Sequence, residues 1–163
     1  MKRRTKPHFS AVSMQSSRGT SLIEVLISVL ILGIGLLGIA SMQAITLRNG
    51  QSSMERSQAV MQSYSVLDAM RSNVALARAG GYTMARSCIP PTTTSTLAER
   101  DLGNWMRSVQ ANLGTTSCGT IVCQAIAGPP VTTNRLCTVT VEWNDSRGTG
   151  GATAQTTTTQ SRI

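Results

Sequence analysis

From Val25 to Leu47 the chain runs 23 residues without a charged side chain. About 20 apolar residues in a helix cross the roughly 30 Å hydrocarbon layer of a bilayer, so this run predicts a transmembrane helix. One acid, Glu24, stands at its leading edge. A carboxylate carried to the bilayer centre costs about 2.5–3.5 kcal/mol on insertion scales, and a group that expensive calls for a partner. The helical pattern continues beyond the apolar run. Between Ser52 and Ala79 there is no proline, and Val60, Tyr64, Leu67, Met70, Val74 and Ala77 recur at three- and four-residue steps. That spacing predicts one amphipathic stripe, with Glu55, Arg56, Ser65, Asp68 and Arg71 on the opposite side. Gly80-Gly81 then predicts the stop. The expectation is a single helix from Ser21 to Ala79, with Gly33, Gly35, Gly38 and Gly50 as places where it bends or melts. The Gly33-x-Gly35-x2-Gly38 cluster reads equally as ordinary membrane-helix glycine and as a surface for close helix–helix approach.

The pattern changes after Gly81. Pro90-Pro91 and the run Thr92 to Thr96 predict a loop. Leu97 to Leu113 predicts a short helix with Leu102, Trp105, Met106 and Val109 on one side, followed by a turn region from Gly114 to Gly119. Thr120–Ala125 and Leu136–Trp143 alternate as strands do, joined through Gly128-Pro129-Pro130. Asn144 to Gly148 predicts a turn, and the threonine-rich stretch from Thr153 to Gln160 a third strand. The fold class is therefore α+β: a long N-terminal helix, transmembrane in one half and amphipathic in the other, packed on a small antiparallel sheet.

Charge is unevenly placed. Lys2, Arg3, Arg4, Lys6 and Arg18 supply five of the eight net positive charges before residue 20, and no acid accompanies them. The ten later Arg residues face seven acids and are scattered, which argues against a nucleic-acid partner. Basic residues flanking a membrane span stay in the cytoplasm, so the chain beyond Leu47 is expected outside it. Cys88, Cys118, Cys123 and Cys137 all lie on that side, and an even count in an oxidising compartment predicts two disulfides. Four cysteines allow three connectivities. If the two strands pair about Pro130, Cys123 faces Cys137, which favours Cys123–Cys137 with Cys88–Cys118. With one Phe in the chain, and that one in the leader, the core is small and disulfides add stability.

No catalytic constellation, metal site or cofactor is predicted. Cys118-x4-Cys123 is not a zinc-knuckle spacing, and the one histidine, His8, lies in the leader. Glu142 and Asp145 have no evident acid–base partner, Asp68 and Arg71 read as an exposed helix pair, and Trp105 and Trp143 as packing residues.

The leader is not an ordinary secretory signal. Gly38-Ile39-Ala40 could be a small-x-small cleavage site giving a mature start at Ser41, but neither that scheme nor a plain uncleaved anchor has any need for Glu24. The run Arg18-Gly19-Thr20-Ser21-Leu22-Ile23-Glu24-Val25-Leu26-Ile27 resembles the class III signal of type IV prepilins and type II secretion pseudopilins. The resemblance implies that a prepilin peptidase cuts between Gly19 and Thr20 and methylates the new N-terminus of Thr20. It also implies that Glu24, fifth in the mature chain, pairs with a neighbouring subunit's N-terminus during assembly. The family usually has phenylalanine where this chain has Thr20.

Further segments resemble the minor pilins called type IV pilus modification protein PilV: Leu36-Leu37-Gly38 with Leu47-Arg48-Asn49, Asp68-Ala69-Met70-Arg71-Ser72-Asn73, Asp101-Leu102-Gly103-Asn104-Trp105, and Val139-Thr140-Val141-Glu142-Trp143-Asn144-Asp145. On that resemblance residues 1–19 are a prepilin leader and 20–48 the transmembrane and filament-core helix. Residues 49–80 are then its amphipathic continuation, and 81–163 a periplasmic disulfide-bonded domain. The implied role is a non-enzymatic minor pilin in type IV pilus assembly or initiation. It is held in the bacterial inner membrane before it joins the pilus, and its partners are the peptidase, other minor pilins and the major pilin. A type II secretion pseudopilin and a pilus-tip binding module for DNA or surfaces are the alternatives.

Overall fold

The computed structural model describes residues 19–126 and 134–163. Helix α1 runs from Leu22 to Ser72 and α2 from Val74 to Arg78. Strand β1 (Met84–Ser87), helix α3 (Leu97–Leu113), and strands β2 (Cys118–Ala125), β3 (Arg135–Trp143) and β4 (Gln155–Arg162) follow. The chain divides into two units, one ending at Ser41 and the other spanning Met42–Ile163. The leader through Arg18 and the Gly128-Pro129-Pro130 connection lie outside the described residues.

In the first unit, the apolar side chains from Leu22 to Ile39 point outward on every side of α1. A helix apolar all round belongs inside a protein assembly or a membrane. Gly33, Gly35 and Gly38 do not interrupt it, nor does Gly50 in the second unit, so the helix does not melt at these glycines.

The second unit corrects the expected single helix to Ala79. The helix breaks at Asn73, whose backbone takes φ −129° and ψ 55°. The Asn73 N–H is shared between the carbonyls of Ala69 and Met70, while its own carbonyl accepts from Ala77 and starts α2. Asparagine competes with helical hydrogen bonding through its own amide, which makes it a favoured place to stop and restart. Two bonds then close α2, from Gly81 N–H to Leu76 O and from Gly80 N–H to Ala77 O. Gly80 has φ +91°, the left-handed conformation this Schellman closure requires.

The buried face of α1 also differs from the expected stripe. Ala59, Ser63, Val66, Leu67 and Met70 are buried, whereas Val60 and Tyr64 are exposed. The helix turns its smallest side chains inward at its upper end because a large neighbour lies there. Trp105 of α3 donates its indole N–H to the main-chain carbonyl of Gln62 at 2.9 Å, so a long side chain of α3 reaches the α1 backbone beside these small residues.

The sheet is fully antiparallel in the order β1-β2-β3-β4. β2 begins at Cys118, two residues earlier than the alternation suggests, and pairs on its far side with β1, which the sequence did not predict. Along β3 the side chains of Cys137, Val139, Val141 and Trp143 turn into the core, which also holds Tyr82, Met106, Ile121 and Leu67. Each such residue fully buried contributes about 1.5–3 kcal/mol. α3 presses on β2 at Gly119, where a Cβ would stand 2.6 Å from the Trp105 ring. Glycine is required here by contact rather than by backbone conformation.

Candidate functional site

At residues 19–24, where processing is expected from the sequence, the chain passes from irregular backbone into helix. Gly19, Thr20 and Ser21 lie outside regular secondary structure and are exposed. Ser21 O accepts from the N–H groups of Glu24 at 3.0 Å and Val25 at 3.3 Å, closing the first turn of α1. Gly19 does not take a positive φ, and a Cβ on it would meet no atom within 4 Å. Among the described residues nothing in the fold calls for glycine at this position.

Glu24 lies in the first helical turn with an exposed side chain that makes no ion pair among the described residues. An acid there gains about 0.3–1 kcal/mol from the helix dipole. That is well below the about 2.5–3.5 kcal/mol charged against a carboxylate deep in lipid. The helix terminus alone therefore does not offset the charge.

Residues 14–40 match the family model described as the prokaryotic N-terminal methylation motif. The match takes in the Gly19–Thr20 junction, Glu24 and the apolar start of α1, and it supports a type IV pilin-like protein. A long apolar helix followed by a small antiparallel four-stranded sheet is likewise a pilin-like α+β architecture. No curated protein and no solved structure matches the chain.

In the second unit, disulfides join Cys88 to Cys118 and Cys123 to Cys137. The second follows from strand register, since Cys123 and Cys137 are direct partners across β2 and β3. Among the described residues no group of three or more His, Cys, Asp or Glu side chains could hold a metal. Glu142, Asp145 and Asp68 each have a structural partner. Arg86 on β1 reaches over β2 to Glu142, donating from Nε to Oε2 at 3.1 Å and from Nη2 to Oε1. That hydrogen-bonded guanidinium holds the Glu142 carboxyl below its ordinary range. Asp145 is buried and accepts the Ser52 hydroxyl at 2.6 Å, pinning the β3–β4 connection to α1. Asp68 and Arg71 form an exposed i, i+3 pair, and Arg71 also donates to Ser161 on β4 at 2.7 Å. Trp105 and Trp143 are both packed inside.

Two polar features went unread in the sequence. Tyr82, buried, donates its hydroxyl to Asp101 at 2.6 Å. Burial first, and then that bond, push its phenol up to about 12. Thr96 and Glu99 form a reciprocal capping box at the start of α3, and the Thr-x-x-Glu spacing was the available signal.

Proposed function

We propose that the chain is a minor pilin of a type IV pilus, made as a prepilin and cut by a prepilin peptidase between Gly19 and Thr20. The carrying observation is the methylation motif set on a helix that is apolar on every side. The basic leader holds the N-terminus in the cytoplasm and the apolar half of α1 spans the inner membrane, leaving the disulfide-bonded domain in the periplasm. Cutting removes the leader charges and creates an α-amino cation at Thr20, which the same enzyme methylates. In the filament that cation and Glu24 of an adjacent subunit relieve one another. At 4 Å and an effective dielectric of about 20 their attraction is about 4 kcal/mol, comparable with the cost of the bare carboxylate. Partner subunits are the major pilin and other minor pilins, and the role is structural rather than catalytic.

N-terminal analysis of the mature protein tests the processing step: a start at Thr20 is expected, and a start at Ser41 overturns it. Glu24→Ala should be cut and inserted normally yet be missing from sheared filaments. Recovery at the wild-type level would remove Glu24 from the mechanism. A type II secretion pseudopilin would share the N-terminal chemistry. The segments resembling PilV, among them Asp101-Leu102-Gly103-Asn104-Trp105, favour the pilus, and deletion should abolish twitching rather than protein secretion.

A further inference from the structure

On α3, Arg100, Gly103, Asn104 and Arg107 stand at i, i+3, i+4 and i+7 and therefore share one face. The loop leading from β1 to α3 lies along that face. Gly103 admits it, because a Cβ there would stand 2.8 Å from the Pro91 carbonyl oxygen. Helix and loop enclose a groove of about 190 Å³, with Thr93 and Thr94 on the wall opposite the two arginines. The loop is fastened at both ends. Cys88 is bonded to Cys118 and its carbonyl accepts from Gln110 at 2.8 Å, while the Thr96–Glu99 capping box closes the other end. A wall fixed before binding loses little entropy when a ligand arrives.

The charges in this groove are not internally neutralised. Arg100 and Arg107 make no ion pair among the described residues, and Arg107 donates only to Asn104 Oδ1, at 2.7 Å. Glu99 also lines the groove and accepts the Thr96 N–H through Oε2, a bond that leaves its negative charge in place, so the lining carries two cations against one anion. Two forked cations thus face a hydroxyl wall, with the Asn104 amide between them.

We propose that this groove binds an oxyanionic group of an acidic polysaccharide. Guanidinium forks suit carboxylate or sulfate oxygens, and the threonine hydroxyls and the Asn104 amide suit the sugar hydroxyls between successive charges. Nucleic acid is disfavoured because a phosphate backbone calls for a continuous basic track and exposed aromatics for base stacking. The groove has two cations, and no aromatic side chain lines it.

The test titrates the detergent-solubilised full chain with oligogalacturonate and with heparin fragments, using a neutral dextran fragment and single-stranded DNA as comparators. Salt-sensitive binding to an acidic oligosaccharide, with none to dextran, is expected. Arg100→Gln and Arg107→Gln should each weaken it at least about tenfold, the loss of one charge-assisted contact. Arg107→Lys should retain part of the affinity, and Arg147→Gln, with its charge on the β3–β4 connection, should leave it unchanged. Thermal melts of all four variants should match the parent, since these side chains are exposed. The proposal fails if neither acidic oligosaccharide binds, if Arg147→Gln weakens binding as much as the groove variants do, or if DNA binds more tightly.

Discussion

Replacing Gly119 by alanine would set a methyl group 2.6 Å from Cη2 and 2.7 Å from Cζ3 of Trp105, and 3.2 Å from the Met106 sulfur. The six-membered part of the indole must move, and its pyrrole N–H moves with it. Overpacking of this kind costs about 1–3 kcal/mol. The displaced N–H weakens its 2.9 Å bond to Gln62 O, a further loss of about 0.5–1.5 kcal/mol. A total of about 2–4 kcal/mol is a large share of the about 5–15 kcal/mol that holds a typical domain, and should lower the melting temperature by roughly 10 °C. Circular dichroism melts of the solubilised chain read this directly. The decisive comparison adds Trp105→Phe, which removes the fused ring that the methyl group strikes. In that background Gly119→Ala should cost at least about 1 kcal/mol less than in the parent. Equal costs in the two backgrounds would refute the claim that this contact sets the helix-to-sheet spacing.

Reducing the disulfides should lower stability by about 2–4 kcal/mol per bridge, and Cys123→Ser with Cys137→Ser should reproduce part of that loss in melts without reductant. Tyr82 makes stability fall in alkali. The unfolded phenol ionises near its ordinary 10.0 while the folded one resists to about 12, so the stabilisation is complete below pH 10 and is lost as pH rises through that interval. Tyr82→Phe should flatten the decline between pH 10 and 12 without removing the disulfides, and an unchanged pH slope would show that the phenol is not its source.

The parts legible in the sequence were those governed by short-range pattern. α3 begins at Leu97 and ends at Leu113 as its spacing indicates, because the apolar period and Gly114 agree there, and the unread Thr96 cap fixes the same start. Strand β3 is legible because its inward residues alternate strictly. β1 was not, since Met84-Ala85-Arg86-Ser87 has no β-branched residue and becomes a strand only by pairing with β2. The inward face of α1 was misjudged at Val60 and Tyr64 for a related reason. Hydrophobicity ranks those two above Ala59 and Ser63, but the face of α1 turned to the core is the one that carries the small residues. At the candidate site, Gly19 stood out in the sequence by its place between the basic leader and the apolar run, and Glu24 as an acid at that run's edge. The groove beside α3 did not, because it depends on a loop reaching a helix ten or more residues away in the chain.

β2 carries one cysteine near each end of the strand, and each is bonded to a different neighbour. Tension applied along the main chain therefore cannot lengthen the segments between Cys88 and Cys118 or between Cys123 and Cys137, whose sequence separations are 30 and 14. At about 3.4 Å per extended residue, these bonds withhold roughly 150 Å of slack. Pulled at its two ends, the chain would bear load through α1, α2, β1, residues 118–123 and everything beyond Cys137, while the two enclosed segments, α3 among them, carry none of it.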